Sequence, residues 1–263
     1  MANQLKGKVA VVTGSTSGIG QGIAELFARE GAHVMLNGLG DAAAIDKYRL
    51  WLEKEAKVCV DYHPADMTRP DEIAHMMKRT RDHLGSIDIL VNNAGIQYVA
   101  PVDEFPTDKW DAIIAINLTS AFHTTRLALP EMKKRKWGRV INIASAHGLV
   151  ASPFKSAYVA SKHGIIGFTK TVALEVAEMG ITSNAICPGF VHTPLVDKQI
   201  DDQARAHNMP RERVMKEVIL APHPNKQFVK IEEIAQLALF LASVHAASIT
   251  GASYSIDGGW TAR

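Results

Sequence analysis

The chain of 263 residues is predicted to adopt a doubly wound α/β fold, in which helices cover both faces of a parallel β-sheet. Short apolar runs rich in β-branched residues alternate with longer amphipathic stretches, as expected for parallel strands joined by crossover helices. Glycine-rich and polar motifs directly follow the apolar runs, and ligands of such sheets bind at the carboxyl ends of the strands. No linker, repeat or low-complexity run interrupts this alternation, so residues 1–263 are expected to form one domain.

Each short apolar run predicts one strand of the sheet. The predicted strands are Lys8–Thr13, His33–Leu36, Val58–Val60, Ile87–Val91, Arg139–Ala144, Ile181–Cys187 and Ala252–Ile256, the third ending near Asp66. Helices are expected over Gln21–Arg29, from Asp41 to about Glu55, over Asp71–Leu84, from Thr107 to about Lys136, over Ser156–Met179 and over Ile231–Ala242. Asp41 and Thr107 are expected N-caps, Gly31 a C-cap, and Pro130 a bend or break in its helix.

Residues 190–228 show no strand signal and contain four prolines. We expect this segment to be a helical substrate lid, because closing lids exclude water from a reaction. A pair of additional surface helices is the alternative.

The composition excludes several classes of protein. The net charge of +2 gives no electrostatic case for nucleic-acid binding. No apolar run reaches the roughly 18–20 residues that cross a bilayer, and the first residues lack the apolar core of a signal peptide. The two cysteines, Cys59 and Cys187, suit a reducing compartment and are expected to be small buried strand residues. We therefore expect a cytoplasmic protein.

A glycine-rich loop connects the first strand to the first helix, with the spacing Gly14-x-x-x-Gly18-x-Gly20. Glycines allow the backbone to approach a pyrophosphate, and the helix N-terminus offers free N–H groups and a favourable dipole. The placement of the loop predicts dinucleotide binding.

Tyr158 and Lys162 are four residues apart on a predicted helix and therefore lie on one helical face. A cation about 4 Å from a phenol is worth ~4 kcal/mol at an effective dielectric of ~20, or about three pK units. Such a phenol can accept a proton from an alcohol or donate one to a ketone. Ser145, at the end of the fifth strand, can donate a hydrogen bond to the same oxygen.

These motifs together resemble the short-chain dehydrogenase/reductase family. The resemblance covers nearly the whole chain: Thr13-Gly14-x-x-x-Gly18-Ile19-Gly20, Asn92-Asn93-Ala94-Gly95, Asn117, Ser145, Tyr158-x-x-x-Lys162 and Pro188-Gly189. It implies a Rossmann-type sheet, a homotetramer and the catalytic residues Asn117, Ser145, Tyr158 and Lys162, with no catalytic metal. It also implies cofactor contacts from Gly14, Thr16, Ser17, Gly18, Ile19, Gly20, Leu39, Asp66, Met67, Asn93, Ala94, Gly95, Tyr158, Lys162, Pro188, Gly189, Val191 and Thr193.

The cofactor is expected to be NAD. NAD enzymes commonly place an acid after the second strand, whereas this chain has Gly38 there, followed by Leu39. No arginine or lysine occurs in residues 34–46, so a 2′-phosphate would lack a cation.

Polar residues beside the catalytic motif predict a small carboxylate substrate, with two potential cations and two amides converging on one pocket. These residues are Gln97, His147, Lys155 and Gln199. Together with the segments NNAGIQ, INIASAHGLVAS, KSAYVASKHG, AICPGFVHTPLV and DGGWTAR they resemble one branch of the family, the D-3-hydroxybutyrate dehydrogenases. That resemblance assigns the four residues to the carboxylate. It leaves open whether Trp260 closes its own pocket, closes a neighbouring subunit's pocket or only packs on the core.

The expected activity is NAD-dependent interconversion of (R)-3-hydroxybutyrate and acetoacetate, in ketone-body or polyhydroxybutyrate metabolism. Tyr158 is the expected acid/base, and Ser145, Tyr158 and Trp260 complete the expected substrate contacts. An NADPH-dependent 3-oxoacyl or secondary-alcohol reductase is the nearest alternative. A non-catalytic nicotinamide-sensing module is a further one, but it would not need Ser145, Tyr158 and Lys162 together.

Overall fold

Seven parallel strands form the central sheet of the computed structural model, which describes residues 3–193, 196, 200, 204 and 209–262. They are β1 (Val9–Val12), β2 (His33–Asn37), β3 (Val60–His63), β4 (Ile89–Asn92), β5 (Gly138–Ile143), β6 (Ile181–Pro188) and β7 (Ser253–Ile256). Their spatial order is β3-β2-β1-β4-β5-β6-β7, with every neighbouring pair parallel. The predicted fold class is therefore confirmed.

Helices pack on both faces of this sheet because alternate strand residues point to opposite sides. The helices of the described residues are α1 (Gly18–Arg29), α2 (Ala42–Ala56), α3 (Pro70–His83), α4 (Thr107–Ile114), α5 (Ser120–Arg135), α6 (Ser156–Val176), α7 (Arg211–Val214) and α8 (Ile231–Ala242). Ala10 and Val12 face one core with α1 and α8, whereas Val11 faces a second core with α3, α5 and α6. Among the described residues, no helix has the length and apolar character needed to cross a membrane.

The long helix predicted from Thr107 to Lys136 differs from expectation in three respects. Pro106, rather than Thr107, occupies the N-cap position, and the helix is interrupted by a π-helical turn over Ala115–Thr119. Pro130 does not break the helix: it lies inside α5, flanked by the buried Ala128 and Met132. Core packing on both sides of the proline explains why the helix continues.

Smaller elements also refine the prediction. The Asp41 side chain caps α2 as expected, accepting a hydrogen bond from Ala44 N at 2.7 Å. The C-cap of α1 is Glu30 rather than Gly31, although Gly31 follows with a left-handed φ of +91°. Cys59 is exposed just before β3 and so contradicts the expectation of a buried strand residue, whereas Cys187 is buried in β6 as expected.

The segment predicted as a lid contains the short helix α7 and a π-helical turn over Met215–Ile219. Its buried apolar side chains form a cluster apart from the sheet cores: Val196, Ile200, Val214 and Ile219. At its base, Val191 forms an isolated parallel bridge with Val229. The role of this segment as a lid stays a prediction.

Candidate active site

The glycine-rich loop lies where β1 meets α1, at the point where the strand order reverses. Gly14 and Gly18 have left-handed φ angles of +62° and +57°. Ser17 is the N-cap of α1, its side chain makes no capping bond, and the first turn contains no acid. The first N–H groups of α1 are therefore available to an anionic group, and the helix dipole favours negative charge there.

Close backbone contacts explain why this loop needs glycine. A Cβ atom on Gly20 would lie 2.3 Å from the Gly14 carbonyl oxygen, and one on Gly14 would lie 2.9 Å from Ala94 Cα. Asn93 Nδ2 donates to the carbonyls of Thr13 and Gly14 at 2.9 and 3.0 Å. The Thr13 hydroxyl accepts from the N–H groups of Asn93 and Ala94. The loop is thus fastened to the end of β4.

A cavity of about 500 Å³ runs from this loop to the catalytic motif. Most predicted cofactor residues line it: Gly14, Thr16, Ser17, Gly18, Ile19, Leu39, Asn93, Ala94, Gly95, Tyr158, Lys162, Pro188, Gly189 and Thr193. An elongated cavity that starts at a free helix N-terminus and glycine backbone fits a dinucleotide.

Four predicted cofactor residues do not line this cavity. Gly20 packs behind the loop, and Val191 lines the smaller adjoining pocket. The Asp66 carboxylate accepts from the N–H and hydroxyl of Thr68, and the Met67 side chain is buried in the core with α3. The last two sit at a turn after β3.

The end of β2 closes the cavity at the side where a cofactor ribose is expected. A Cβ atom on Gly38 would lie 2.2 Å from the Thr16 hydroxyl oxygen, so an acid cannot occupy position 38 unless Thr16 moves. Leu39 is exposed and lines the cavity. The Asn37 side chain accepts from Gly14 N and donates to the carbonyls of His63 and Ala65, which ties β2 to the loop and to β3.

The catalytic motif lies at the other end of the cavity. Lys162 is buried, and its Nζ donates to the Ile143 carbonyl at 2.7 Å while lying 5.6 Å from the centroid of the Tyr158 ring. The Ser145 side chain lines the same cavity and accepts from His147 N at 3.1 Å. Strand β5 and helix α6 thus bring together the three residues that the sequence predicted as a group.

The pKa values of Tyr158 and Lys162 differ from those expected from their spacing in the sequence. Burial raises the pKa of Tyr158, and only the hydrogen-bonding Ser145 hydroxyl opposes that rise. Burial also lowers the pKa of Lys162 to about 8. The predicted depression of the tyrosine pKa by Lys162 is therefore absent in the protein alone, where desolvation of the buried phenol dominates.

Asn117 lies in the π-helical turn between α4 and α5 rather than on the cavity wall. Its Oδ1 accepts from Ile96 N at 2.8 Å, and its Nδ2 donates to the Ile96 carbonyl and to the Ser161 hydroxyl. It therefore fixes the chain after β4 against α6. π-helical turns often occur at functional sites.

A smaller pocket of about 130 Å³ adjoins the catalytic motif. It brings together five of the predicted substrate residues, namely Gln97, Ser145, His147, Tyr158 and Trp260. Lys155 is not among the residues that line it, and Gln199 lies outside the described residues. The remaining lining is largely apolar and includes Ile19, Phe190, Val191 and Val196.

The two predicted cations are not equivalent. His147 is buried, its Nε2 lies 2.9 Å from the Ser152 hydroxyl, and burial, with help from the charge on Lys155, lowers the pKa of His147 to about 4. It is therefore neutral near pH 7, which corrects the expectation of a second cation. Lys155 is half-buried with its Nζ 5.3 Å from the centroid of the Phe190 ring, and burial lowers its pKa.

Trp260 lies in the pocket of its own chain. Its ring stacks on Phe190 with centroids 5.6 Å apart and an interplanar angle of 9°, and it meets His147 edge-on at 4.8 Å. Phe190 is a pocket residue that the sequence reasoning missed. Its place directly after the Pro188-Gly189 turn puts it near the pocket, but only the contact with Trp260 shows that its ring lines the pocket. Within the described ranges, no group of three or more metal-ligating side chains is placed to hold a metal ion.

The Rossmann-type sheet and the glycine-lined cavity define a dinucleotide-binding protein. The family model for the short chain dehydrogenases matches residues 8–204. The chain therefore belongs to the short-chain dehydrogenase family.

Relatives match over nearly the whole chain. A D-beta-hydroxybutyrate dehydrogenase of Rhizobium meliloti is 59% identical over 259 residues, covering 97% of this chain and 99% of the relative. One of Cupriavidus necator is 55% identical over 260 residues, covering 98% and 100%. Among solved structures, an actinorhodin polyketide ketoreductase variant with NADPH superposes with a TM-score of 0.92 at 34% identity, over the full length of both chains. The family and this neighbour indicate a nicotinamide cofactor.

Proposed function

We propose that the protein oxidises (R)-3-hydroxybutyrate to acetoacetate with NAD and catalyses the reverse reduction, as part of ketone-body or polyhydroxybutyrate metabolism. The observation that carries the proposal is a pocket of about 130 Å³ that joins Tyr158 and Ser145 to Gln97, His147 and Trp260. This volume suits a small acid. The names of the two bacterial relatives support the same substrate.

The cofactor would lie along the cavity from Leu39 to Lys162. The N–H groups at the start of α1 would hold its pyrophosphate. Two features support NAD over NADP: residues 34–46 contain no lysine or arginine, and the only charged side chain in residues 38–45 is the acid Asp41. A doubly charged 2′-phosphate would meet no cation there.

Tyr158 performs the proton transfer in this proposal. NAD, when bound, would supply an acceptor for the hydride that leaves C3 and a positive charge beside the phenol. The Tyr158 phenolate accepts the hydroxyl proton as the C3–O bond becomes a carbonyl, and in reduction the phenol returns that proton. Ser145 donates a hydrogen bond to the reacting oxygen, and Lys162 holds a cation near the phenolate. Asn117 positions the chain after β4.

Among the described residues, the carboxylate is recognised by Lys155 and by neutral donors. Lys155 supplies the charge, whereas the neutral His147 and the Gln97 amide can donate hydrogen bonds. Gln199 is proposed to join them. The apolar side of the pocket, formed by Phe190 and Trp260, would face the methyl end of the acid.

The test is NADH formation by the purified protein with each enantiomer of 3-hydroxybutyrate, repeated with NADP. We expect turnover of the (R)-enantiomer with NAD and at least about tenfold lower kcat/KM with the (S)-enantiomer or with NADP. Preference for NADPH with acyl thioester or neutral ketone substrates would instead support the reductase alternative.

We also propose a cytoplasmic homotetramer. Ile165 and Ile166 are buried within the chain and do not support an interface. Phe122 on α5 and Leu174 on α6 do support one, because both are exposed apolar side chains on long helices. Light scattering after gel filtration tests this, and a mass near that of one 28.6 kDa chain would contradict it.

A further inference from the structure

His223 is a fully buried residue near the end of the segment 190–228, outside the predicted catalytic and substrate residues. Its Nε2 lies 3.0 Å from Phe190 N and accepts from that N–H group, and its Nδ1 donates to the Gln227 carbonyl at 3.1 Å. One acceptor and one donor require a neutral ring that carries its proton on Nδ1. Burial lowers the pKa of His223, with the charged groups Asp257 and Lys226 acting in opposite directions, and so favours that neutral form.

The contacts around the ring leave it little freedom. A Cβ atom on Gly189 would lie 2.5 Å from His223 Cε1, so the glycine allows the ring to lie against the backbone after β6. The ring centroid of Trp260 lies 5.6 Å from that of His223. His223 therefore touches the turn after β6 on one side and the C-terminal region on the other.

The hydrogen bond to Phe190 connects His223 to the substrate pocket. The Phe190 carbonyl accepts from Val229 N at 2.9 Å, so both backbone polar groups of Phe190 are held at the base of the segment. The Phe190 ring in turn stacks on Trp260, and both rings line the pocket. A shift of the Phe190 backbone would thus move the apolar wall.

We propose that His223 is a positioning residue that fixes the Phe190 backbone and thereby holds the Phe190–Trp260 wall against the substrate. It lines neither the cofactor cavity nor the substrate pocket itself, although its ring lies against Gly189, which lines both. Its loss should therefore change substrate binding and leave cofactor binding intact. The kinetic part of this proposal rests on the proposed function.

The test compares three variants with the wild-type protein. His223→Phe keeps a ring but leaves the Phe190 N–H without an acceptor, so we expect kcat/KM for 3-hydroxybutyrate to fall about tenfold, mainly through KM. His223→Gln retains one acceptor and one donor and should stay within about threefold of wild type. His245→Gln changes an exposed histidine and should have no effect. KM for NAD should change less than about twofold in every variant.

Hydrogen exchange at the Phe190 amide tests the contact without any substrate. We expect at least about tenfold faster exchange in His223→Phe than in wild type or in His223→Gln. If His223→Phe does not fold, His223→Asn, which is too short to make both bonds, replaces it with the same expectation. Unchanged exchange, or His223→Gln as impaired as His223→Phe, would overturn the proposal. A wild-type protein inactive on 3-hydroxybutyrate would instead reject the proposed function, and the exchange result would stand on its own.

Discussion

At the scale of single residues, the Tyr158 hydroxyl is subject to opposing effects on its pKa. Burial raises that pKa, and Ser145 opposes the rise. Because desolvation wins in the protein alone, we infer that the phenol becomes an effective base only with oxidised cofactor beside it.

Tyr158→Phe tests that role. The variant lacks the group proposed to exchange a proton with the substrate oxygen, so we expect kcat to fall by at least about a thousandfold. NADH affinity, measured by fluorescence titration, should change less than about threefold, because the other cavity residues remain. Turnover within tenfold of wild type would contradict the assignment.

Lys155 is expected to bind the carboxylate through its positive charge. Lys155→Met removes the charge but keeps a long apolar side chain over Phe190. We expect KM for 3-hydroxybutyrate to rise about ten- to a hundredfold, consistent with ~1.5–3 kcal/mol for a hydrogen bond to a charged group.

A neutral ketone that the wild-type protein reduces is the comparison substrate for Lys155→Met. Because this ketone has no carboxylate, its KM should change little. Lys170→Met, on the exposed face of α6, is the matched control. Equal effects of Lys155→Met on the acid and on the ketone would reject carboxylate binding by this residue.

The sequence predicted the identity of these residues better than their charge states. Spacing on a helix brought Tyr158 and Lys162 together, and this was confirmed. The neutrality of His147 could not be predicted, because its low pKa comes from burial, which only the packed structure defines. Phe190 was missed for the same reason, since its contact with Trp260 joins segments distant in the chain.

At the scale of elements, the turn from β1 into α1 depends on the close approach of Gly20 to Gly14. In Gly20→Ala the new methyl group would meet the Gly14 carbonyl oxygen at 2.3 Å, so the loop must shift. We expect KM for NAD to rise at least about tenfold, with a smaller change in KM for the hydroxy acid.

Gly167→Ala is the control for this substitution. A Cβ atom on Gly167 meets no atom within 4 Å, and alanine favours the interior of helix α6 by up to ~1 kcal/mol. Wild-type kinetics are expected for this variant. Equal KM values for NAD in Gly20→Ala and wild type would show that the loop does not hold the cofactor.

The sequence predicted the boundaries of elements that have a local capping signal. It missed the boundaries that are determined by packing against distant residues. The Asp41 cap was confirmed because it needs only its own side chain and the next turn. The π-helical turn at Ala115–Thr119 has no comparable local signal. Its Asn117 side chain is held by Ile96 and Ser161, which come from other parts of the chain. Pro130 suggested an interruption, but the packed helix tolerates it.

At the scale of the whole molecule, several histidines are kept neutral by burial. The pKa values of His63, His123, His147 and His223 are all lowered, that of His147 to about 4. Each has an ordinary pKa near ~6.5 in the unfolded chain, so the unfolded state binds more protons below that pH. These histidines therefore do not reduce the free energy of unfolding above about pH 6.5, and they reduce it increasingly as the pH drops below that value.

We expect the thermal midpoint to decrease from pH 7.5 to pH 5.5 at constant protein concentration and ionic strength. His147 alone contributes about 1.4 kcal/mol for each pH unit between its folded and unfolded pKa values. His147→Asn should reduce the slope of the midpoint against pH below pH 6.5. A midpoint that is constant or rises on acidification would contradict the expectation.

The glycine-rich loop and the residue that fastens it lie far apart in the chain, and this separation affects folding. The loop after β1 is fastened by Asn93, 80 residues further along the chain. Contacts of such long range form slowly, because the loop between them must close first. A nascent chain that has emerged only through β3 therefore has the glycine loop but no β4 to fasten it. Cofactor can stabilise the chain only after the two strands have met, so added NAD should protect the folded protein without accelerating its early folding.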